Sequence, residues 1–268
     1  MTEPAAVIAS TRADISPQFS QDGKRIAFAS DRDGFREIWV SASDGSNPVQ
    51  LTTLKSQRCG TPNWSPDGRQ IVFDSLSSGN NDIWIVGSEG GSPKRITTEP
   101  SDDARPSWSH DGRWIYFRSD RSGSQQIWKM PSSEPYKPAV QVTRNGGFEA
   151  KDSMDGKLLY YVKASPGLWS MPVEGGDETP LDQPVMAGNW AVAENGVYYL
   201  DLRHRLPDGG VPIQCFSFAT RKPVQVGVVH KVQSGSTPNF AVTQDGRWIA
   251  WAQIDHQDSD LMLIENFR

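Results

Sequence analysis

Along this chain, apolar residues come in short runs of four to six, and each run is closed by a cluster of Ser, Asp, Gly or Pro. Runs of that length, rich in β-branched and aromatic residues and punctuated by turn formers, predict strands rather than helices. The unit is clearest in Thr61-Pro62-Asn63-Trp64-Ser65-Pro66-Asp67-Gly68-Arg69-Gln70-Ile71-Val72-Phe73. Pro62 to Ser65 read as a short first strand and Gln70 to Phe73 as the return strand. Between them Pro66-Asp67-Gly68 turns the chain, with glycine where a positive φ is needed.

The same hairpin recurs at Ser16 to Phe28 and at Arg105 to Phe117, with weaker copies at Ala150 to Tyr160, Gly188 to Tyr199 and Pro238 to Trp251. The turn glycines Gly23, Gly68, Gly112, Gly156, Gly196 and Gly246 are spaced by 45, 44, 44, 40 and 50 residues. That period is the length of a four-stranded propeller blade. Third strands follow at Glu37 to Val40, Asp82 to Val86, Gln126 to Met130 and Leu168 to Met171. Short fourth strands end in Thr52, Thr97 and Thr143. The fold expected is therefore all-β: a six-bladed β-propeller of four-stranded antiparallel blades, read as a single domain over 1–268. Its blades fall near 12–53, 58–98, 103–143, 147–182, 185–227 and 236–268, the last completed by 5–11. Repeat 6 lacks a fourth strand and Ala6 to Thr11 is a spare one, so pairing the two closes the ring and hides two sheet edges.

Composition narrows the function more than the fold. A net charge of -5 with no clustered basic face argues against nucleic acid as a partner. The chain shows no signal-peptide pattern and no apolar run long enough to span a bilayer, so a soluble protein with no membrane partner is expected, as a monomer. Cys59 and Cys215 fall in blades 2 and 5 and are expected to be free thiols. His110, His204, His230 and His256 are scattered without metal-ligand spacing, and no Gly-x-Ser-x-Gly elbow occurs. Asp31-Arg32-Asp33-Gly34 has only a fragment of a calcium loop. No catalytic residue, metal ligand or cofactor is assigned.

Several residues still stand out. In the turns Ser30-Asp31-Arg32 and Ser119-Asp120-Arg121, Asp is expected to cap backbone N–H groups and Arg to lie between blades. Trp39, Trp84, Trp128 and Trp169 recur once per blade, as inter-blade packing requires. Phe19, Trp64, Trp108, Trp190 and Phe240 are aligned on one first-strand site, where repeat 4 has Asp152, and Arg118 is the expected partner of that carboxylate. Asp14, Arg58, Asp103, Arg105, Glu149 and Asn189 lead into the first strands and are expected to ring one mouth of the channel. With Asp152 they form the candidate ligand or partner site, and Arg203-His204-Arg205 is expected to project as a loop in blade 5.

The motif Pro-x-Trp-Ser-Pro-Asp-Gly-x-x-Ile-x-Phe, with its Ser-Asp-Arg turn and Ile-Trp strand, resembles the TolB-type, WD-repeat-like β-propeller repeats of bacteria. More narrowly, Gly146-Gly147-Phe148-Glu149-Ala150, Gly188-Asn189-Trp190-Ala191 and the ending Asp258 to Arg268 resemble the C-terminal propeller of bacterial winged-helix transcriptional regulators. The resemblance implies a non-enzymatic binding, sensory or scaffold propeller that recognises a protein partner or a small ligand. In a regulator, DNA binding would belong to a part outside this chain. It implies a periplasmic location for a TolB-like protein, whereas the chain as written reads as cytoplasmic. The alternative is a lactonase-like propeller hydrolase with a divalent metal in its channel, and a third reading is the gating domain of a peptidase.

Overall fold

The computed structural model describes residues 4–133, 137–165, 167–232, 237–254 and 259–265. They form six four-stranded antiparallel sheets in a ring. Blade 1 runs through Asp14–Phe19, Arg25–Ser30, Glu37–Ala42 and Val49–Gln50; blades 2, 3 and 4 open with Cys59–Trp64, Ala104–Trp108 and Glu149–Asp152. Blade 5 opens with Trp190–Ala193. In blade 6, Phe240–Val242, Trp248–Ile254 and Ser259–Glu265 are completed by the N-terminal strand Ala5–Ile8, with Ala5 opposite Leu263 and Ala6 opposite Met262. The expected closure of the ring is therefore present. His256 and the 266–268 end lie outside the described residues.

Both faces of each sheet are covered by neighbouring blades, which is why the second strands read as unbroken apolar runs such as Ile26-Ala27-Phe28-Ala29. Side chains alternate between the two interfaces: Ile115 and Phe117 pack with blade 2 residues such as Ile83, and Tyr116 packs with Leu159 and Tyr161 of blade 4. Trp39 lies in the core that joins blades 6, 1 and 2, and Trp84, Trp128 and Trp169 lean on the cores of their own blade pairs. Cys59 and Cys215 are buried free thiols.

The hairpin turns lock themselves. Ser20 Oγ donates to Asp22 Oδ1 at 2.7 Å, and Lys24 N donates to the same oxygen at 3.1 Å. Ser65 with Asp67, Ser109 with Asp111, Ser153 with Asp155 and Thr243 with Asp245 repeat it. These bonds, hydroxyl first and backbone second, hold the carboxyls of Asp22, Asp67 and Asp155 below the usual range. Gly23, Gly68, Gly112, Gly156 and Gly246 take φ of 66 to 71° at these turns.

Blade 5 departs from the expected alignment. Gly196 is not at the positive-φ position; it pairs with Ala193 across a two-residue turn, and a Cβ there would lie 2.5 Å from Phe216 O. Register then places Val192 and Val242, opposite Val197 and Ile249, at the site of Phe19, Trp64 and Trp108. Trp190 and Phe240 do not fill that site. They sit two residues earlier on their strands: matching aromatic to aromatic puts two extra residues before Gly196 and Gly246, whereas counting four back from each glycine, as in blades 1 to 3, gives Val192 and Val242.

Candidate functional site

The first strands line the central channel, and in blades 1 to 3 they are bulged. The ladder slips between Ile15 and Gln18, Gly60 and Asn63, and Ala104 and Ser107. Each bulge contains a proline, which has no N–H to give the ladder. The residue before it is left-handed: Ser16 at φ 56°, Thr61 at 48° and Arg105 at 56°. A β-branched threonine there is strained, and such strain persists only where neighbours enforce it. Asp74 is one enforcer, since its Oδ2 accepts from Arg105 N and from Thr61 Oγ1, both at 2.8 Å. Burial nevertheless raises the Asp74 carboxyl above its ordinary value. Blade 4 has Ala150 instead of proline and runs straight from Glu149 to Asp152.

At the start of these strands the channel opens into a cavity of about 170 Å³ lined by Arg36, Arg58, Arg105, Arg118, Asp74 and Phe148. The guanidiniums of Arg105 and Arg118 each lie 4.6 Å from the centre of the Phe148 ring. Arg118 pairs with Asp102 at 2.7 Å, yet its Nε and that of Arg36 are buried without an acceptor. Arg36 and Arg58 have no carboxylate within ion-pair distance among the described residues. Burial lowers the Arg105 pKa, with Glu149 and Asp74 opposing the shift and Arg118 and Arg58 adding to it.

Deeper in, the channel narrows to about 30 Å³ beside Glu149. Glu149 is a buried hub: its Oε2 accepts from Gly188 N at 2.6 Å and from Arg105 at 3.4 Å, and its Oε1 lies 3.7 Å from Lys151 Nζ. Beyond it, the far ends of the first strands surround a second cavity of about 130 Å³. One residue per blade contributes to this ring: Phe19, Trp64, Trp108, Asp152, Val192 and Val242. Asp152 Oδ2 accepts from His110 N at 2.7 Å. Burial drives its pKa up to about 6, against the pull of the His110 N–H and ring.

The sequence-selected residues are thus divided. Arg58 and Arg105 line the arginine mouth and Glu149 sits in the narrowing. Asp14 and Asp103 do not face the mouth; both are fully buried and held by Arg32 at 2.7 Å and Arg121 at 2.6 Å. Those arginines stack within their own blades, Arg32 on Phe28 and Trp39, Arg121 on Phe117 and Trp128, so they do not bridge blades as expected. Asp31 and Asp120 do cap backbone, accepting from Ala13 N and Asp102 N at 2.9 Å. Asn189 is fully buried and donates to Ala187 O. Asp152 lies at the opposite end of the channel, and its partner is the His110 N–H rather than Arg118, which is occupied by Asp102 and Phe148. Arg203, His204 and Arg205 are exposed on the connection between the second and third strands of blade 5, with the His204 ring bonded to Asp201. In blade 1 that connection carries Arg36. Arg36, Asp74 and Phe148 were missed as site residues. A usable signal was Asp74 and Arg118 standing at the strand position where blade 1 has Ala29.

A family model described as the TolB beta propeller domain matches residues 2–200. No curated protein sequence matches the chain. Among solved structures, the chain is similar to TolB from Acinetobacter baumannii at 17% identity and a TM-score of 0.73, covering 92% of this chain and 64% of that one. It is also similar to an oligogalacturonate lyase in complex with manganese, at 11% identity and a TM-score of 0.64 over 95% and 89% of the two chains. A puromycin hydrolase matches at 15% identity and a TM-score of 0.60, over 94% of this chain and 45% of the hydrolase. At these identities the structural likenesses show the fold alone. The chain spans less than two thirds of the Acinetobacter TolB.

Proposed function

The chain belongs to the TolB beta-propeller domain family, and from that premise we propose that it is a recognition module whose arginine mouth receives an anionic group of a protein partner or small ligand. The observation that carries this reading is the pair of buried Nε donors on Arg36 and Arg118, which have no acceptor in a cavity that Arg58 and Arg105 also line. Buried donors and excess guanidinium charge are both relieved by a carboxylate or phosphate, which accepts in the planar geometry arginine offers. A strained, over-determined wall keeps these side chains in place before anything binds. Phe148 stiffens two of them from below.

Citrate and a short Glu-rich peptide are suitable probes for calorimetric titration of the full chain. Saturable binding that weakens as salt rises, and that falls about tenfold in an Arg36→Gln, Arg118→Gln double variant, is the expected result. Equal affinity in the double variant overturns the reading.

A channel-metal hydrolase competes because propeller enzymes share the fold. It asks for three or four oxygen ligands converging on the axis. Among the described residues no group of three or more His, Cys, Asp or Glu could hold a metal ion, and Asp74 and Glu149 are engaged by protein donors. Metal analysis of the purified protein separates the two: a stoichiometric divalent ion favours the hydrolase. The motifs Gly146 to Ala150 and Gly188 to Ala191 support the narrower possibility of a sensory propeller from a transcriptional regulator. No helix among the described residues is long and apolar enough to cross a membrane.

A further inference from the structure

We infer that the cavity at the turn end of the channel is a second binding site, selective for a small organic cation of the methylated ammonium type. It is separate from the arginine mouth and does not depend on the role proposed for that mouth.

Three observations converge. The cavity, about 130 Å³, is far larger than the roughly 15 Å³ that a single water requires. Its wall is a ring of equivalent positions filled by Phe19, Trp64 and Trp108 on one side and by Val192 and Val242 on the other, with Asp152 between Trp108 and Val192. Gln18, Asn63, Ser107 and Gln244 also line the cavity, so its wall is mixed, and three aromatic side chains beside one carboxylate suit a cation that also carries apolar surface. An anion is disfavoured by Asp152, and a neutral apolar group leaves that carboxylate desolvated without compensation.

Of the titratable groups nearby, the His110 ring also lines the cavity, and the others are already engaged. Lys151 also lines the cavity, but its Nζ is drawn toward the middle of the channel, 3.7 Å from Glu149 Oε1 and 5.7 Å from the Trp190 ring. Arg25 covers one face of Trp64 at 4.6 Å and is held toward solvent by Glu89 at 2.6 Å, while the Trp64 indole N–H donates to Gln18 O at 3.0 Å. The turn carboxylates Asp22 and Asp67 are taken up by Ser20 and Ser65. Asp152 spends Oδ2 on the His110 N–H, and no protein cation lies within ion-pair distance of it among the described residues. Its ionisation, opposed by burial, is favoured when a cation arrives.

The test uses the full chain, choline, and the uncharged carbon isostere of choline in which a tert-butyl group replaces the trimethylammonium. Binding is followed by the indole N–H resonances of the tryptophans and by calorimetry. Choline is expected to shift the Trp64 and Trp108 resonances and to bind at least about tenfold more tightly than its isostere. Asp152→Asn, which removes a partly buried charge without removing volume, is expected to weaken choline about tenfold while leaving the melting temperature unchanged or higher. Arg58→Gln, at the other end, is expected to leave choline binding as it was. Equal binding of choline and isostere, no binding of either, or choline affinity indifferent to Asp152→Asn would each overturn the inference.

Discussion

The arginine end and the aromatic end of the channel are built by the same first strands, yet they differ in charge and in backbone. At the arginine end, the strands of blades 1 to 3 are bulged and left-handed at Ser16, Thr61 and Arg105, and the side chains are cationic. At the aromatic end the strands are regular, the turns beyond them absorb their own carboxylates, and one acidic residue remains in an apolar ring. Between them Glu149 ties Arg105 to Lys151. A net charge of -5 says nothing about either end. What sets the sign of a site is which charges are left after internal pairing, as Asp14 and Asp103 show: two acidic residues leading into the mouth are cancelled by Arg32 and Arg121.

The contrast can be broken most severely at its middle. Glu149→Ala removes one of the carboxylates that face the buried Arg105, together with the acceptor of Gly188 N; a loss of about 3 to 5 kcal/mol, read from the denaturant midpoint, is expected. An unchanged midpoint would mean that the two ends are not coupled through this residue.

Next in size is Asp152. Its folded-state pKa of about 6 stands above the ordinary 3.8, so the folded chain keeps this proton at a pH where the unfolded chain has lost it. Stability from this group is therefore fully present below the ordinary value and is lost as pH rises to about 6. His110, Asp111, Lys151 and Tyr116 are the titratable groups packed around it. Asp152→Asn is expected to raise stability at neutral pH by up to about 3 kcal/mol and to flatten that part of the pH profile, as urea titrations at several pH values would show.

A smaller effect is expected from the strained wall. Ser16→Gly relieves the left-handed backbone at φ 56° and adds chain entropy to the unfolded state, for a net gain of about 0.5 to 1 kcal/mol in thermal unfolding. The smallest change is expected for Arg58→Gln. Its exposed side chain gives a stability change under about 0.5 kcal/mol, but it is expected to weaken citrate binding at the mouth. A large loss of stability with no effect on citrate would assign Arg58 to structure instead.

Much of the scaffold was legible from residue order. The spacing of Gly23, Gly68 and Gly112, the apolar runs of the second strands and the spare N-terminal strand defined six blades and their closure, because each is set by local turn chemistry and by the period of a sheet buried on both faces. The two-residue turn of blade 5 was not legible, and Trp190 and Phe240 were misplaced because aromatic character was matched in preference to the four-residue count back from Gly196 and Gly246, which falls on Val192 and Val242. The left-handed bulges at Ser16, Thr61 and Arg105 were hidden too, because a residue before proline is ordinarily extended.

Sequence alone therefore determined the repeating hydrogen-bonded unit, the number of sheets and the singularity of Asp152 in its column. Tertiary structure decided which polar side chains are left over. Asp14 and Arg32, eighteen residues apart, meet only when their blade forms, and Arg36, Arg58, Arg105 and Arg118 converge only when three blades are set side by side. Pairing and convergence are properties of distance in the folded chain, and a linear order of residues does not carry them until the ring has closed.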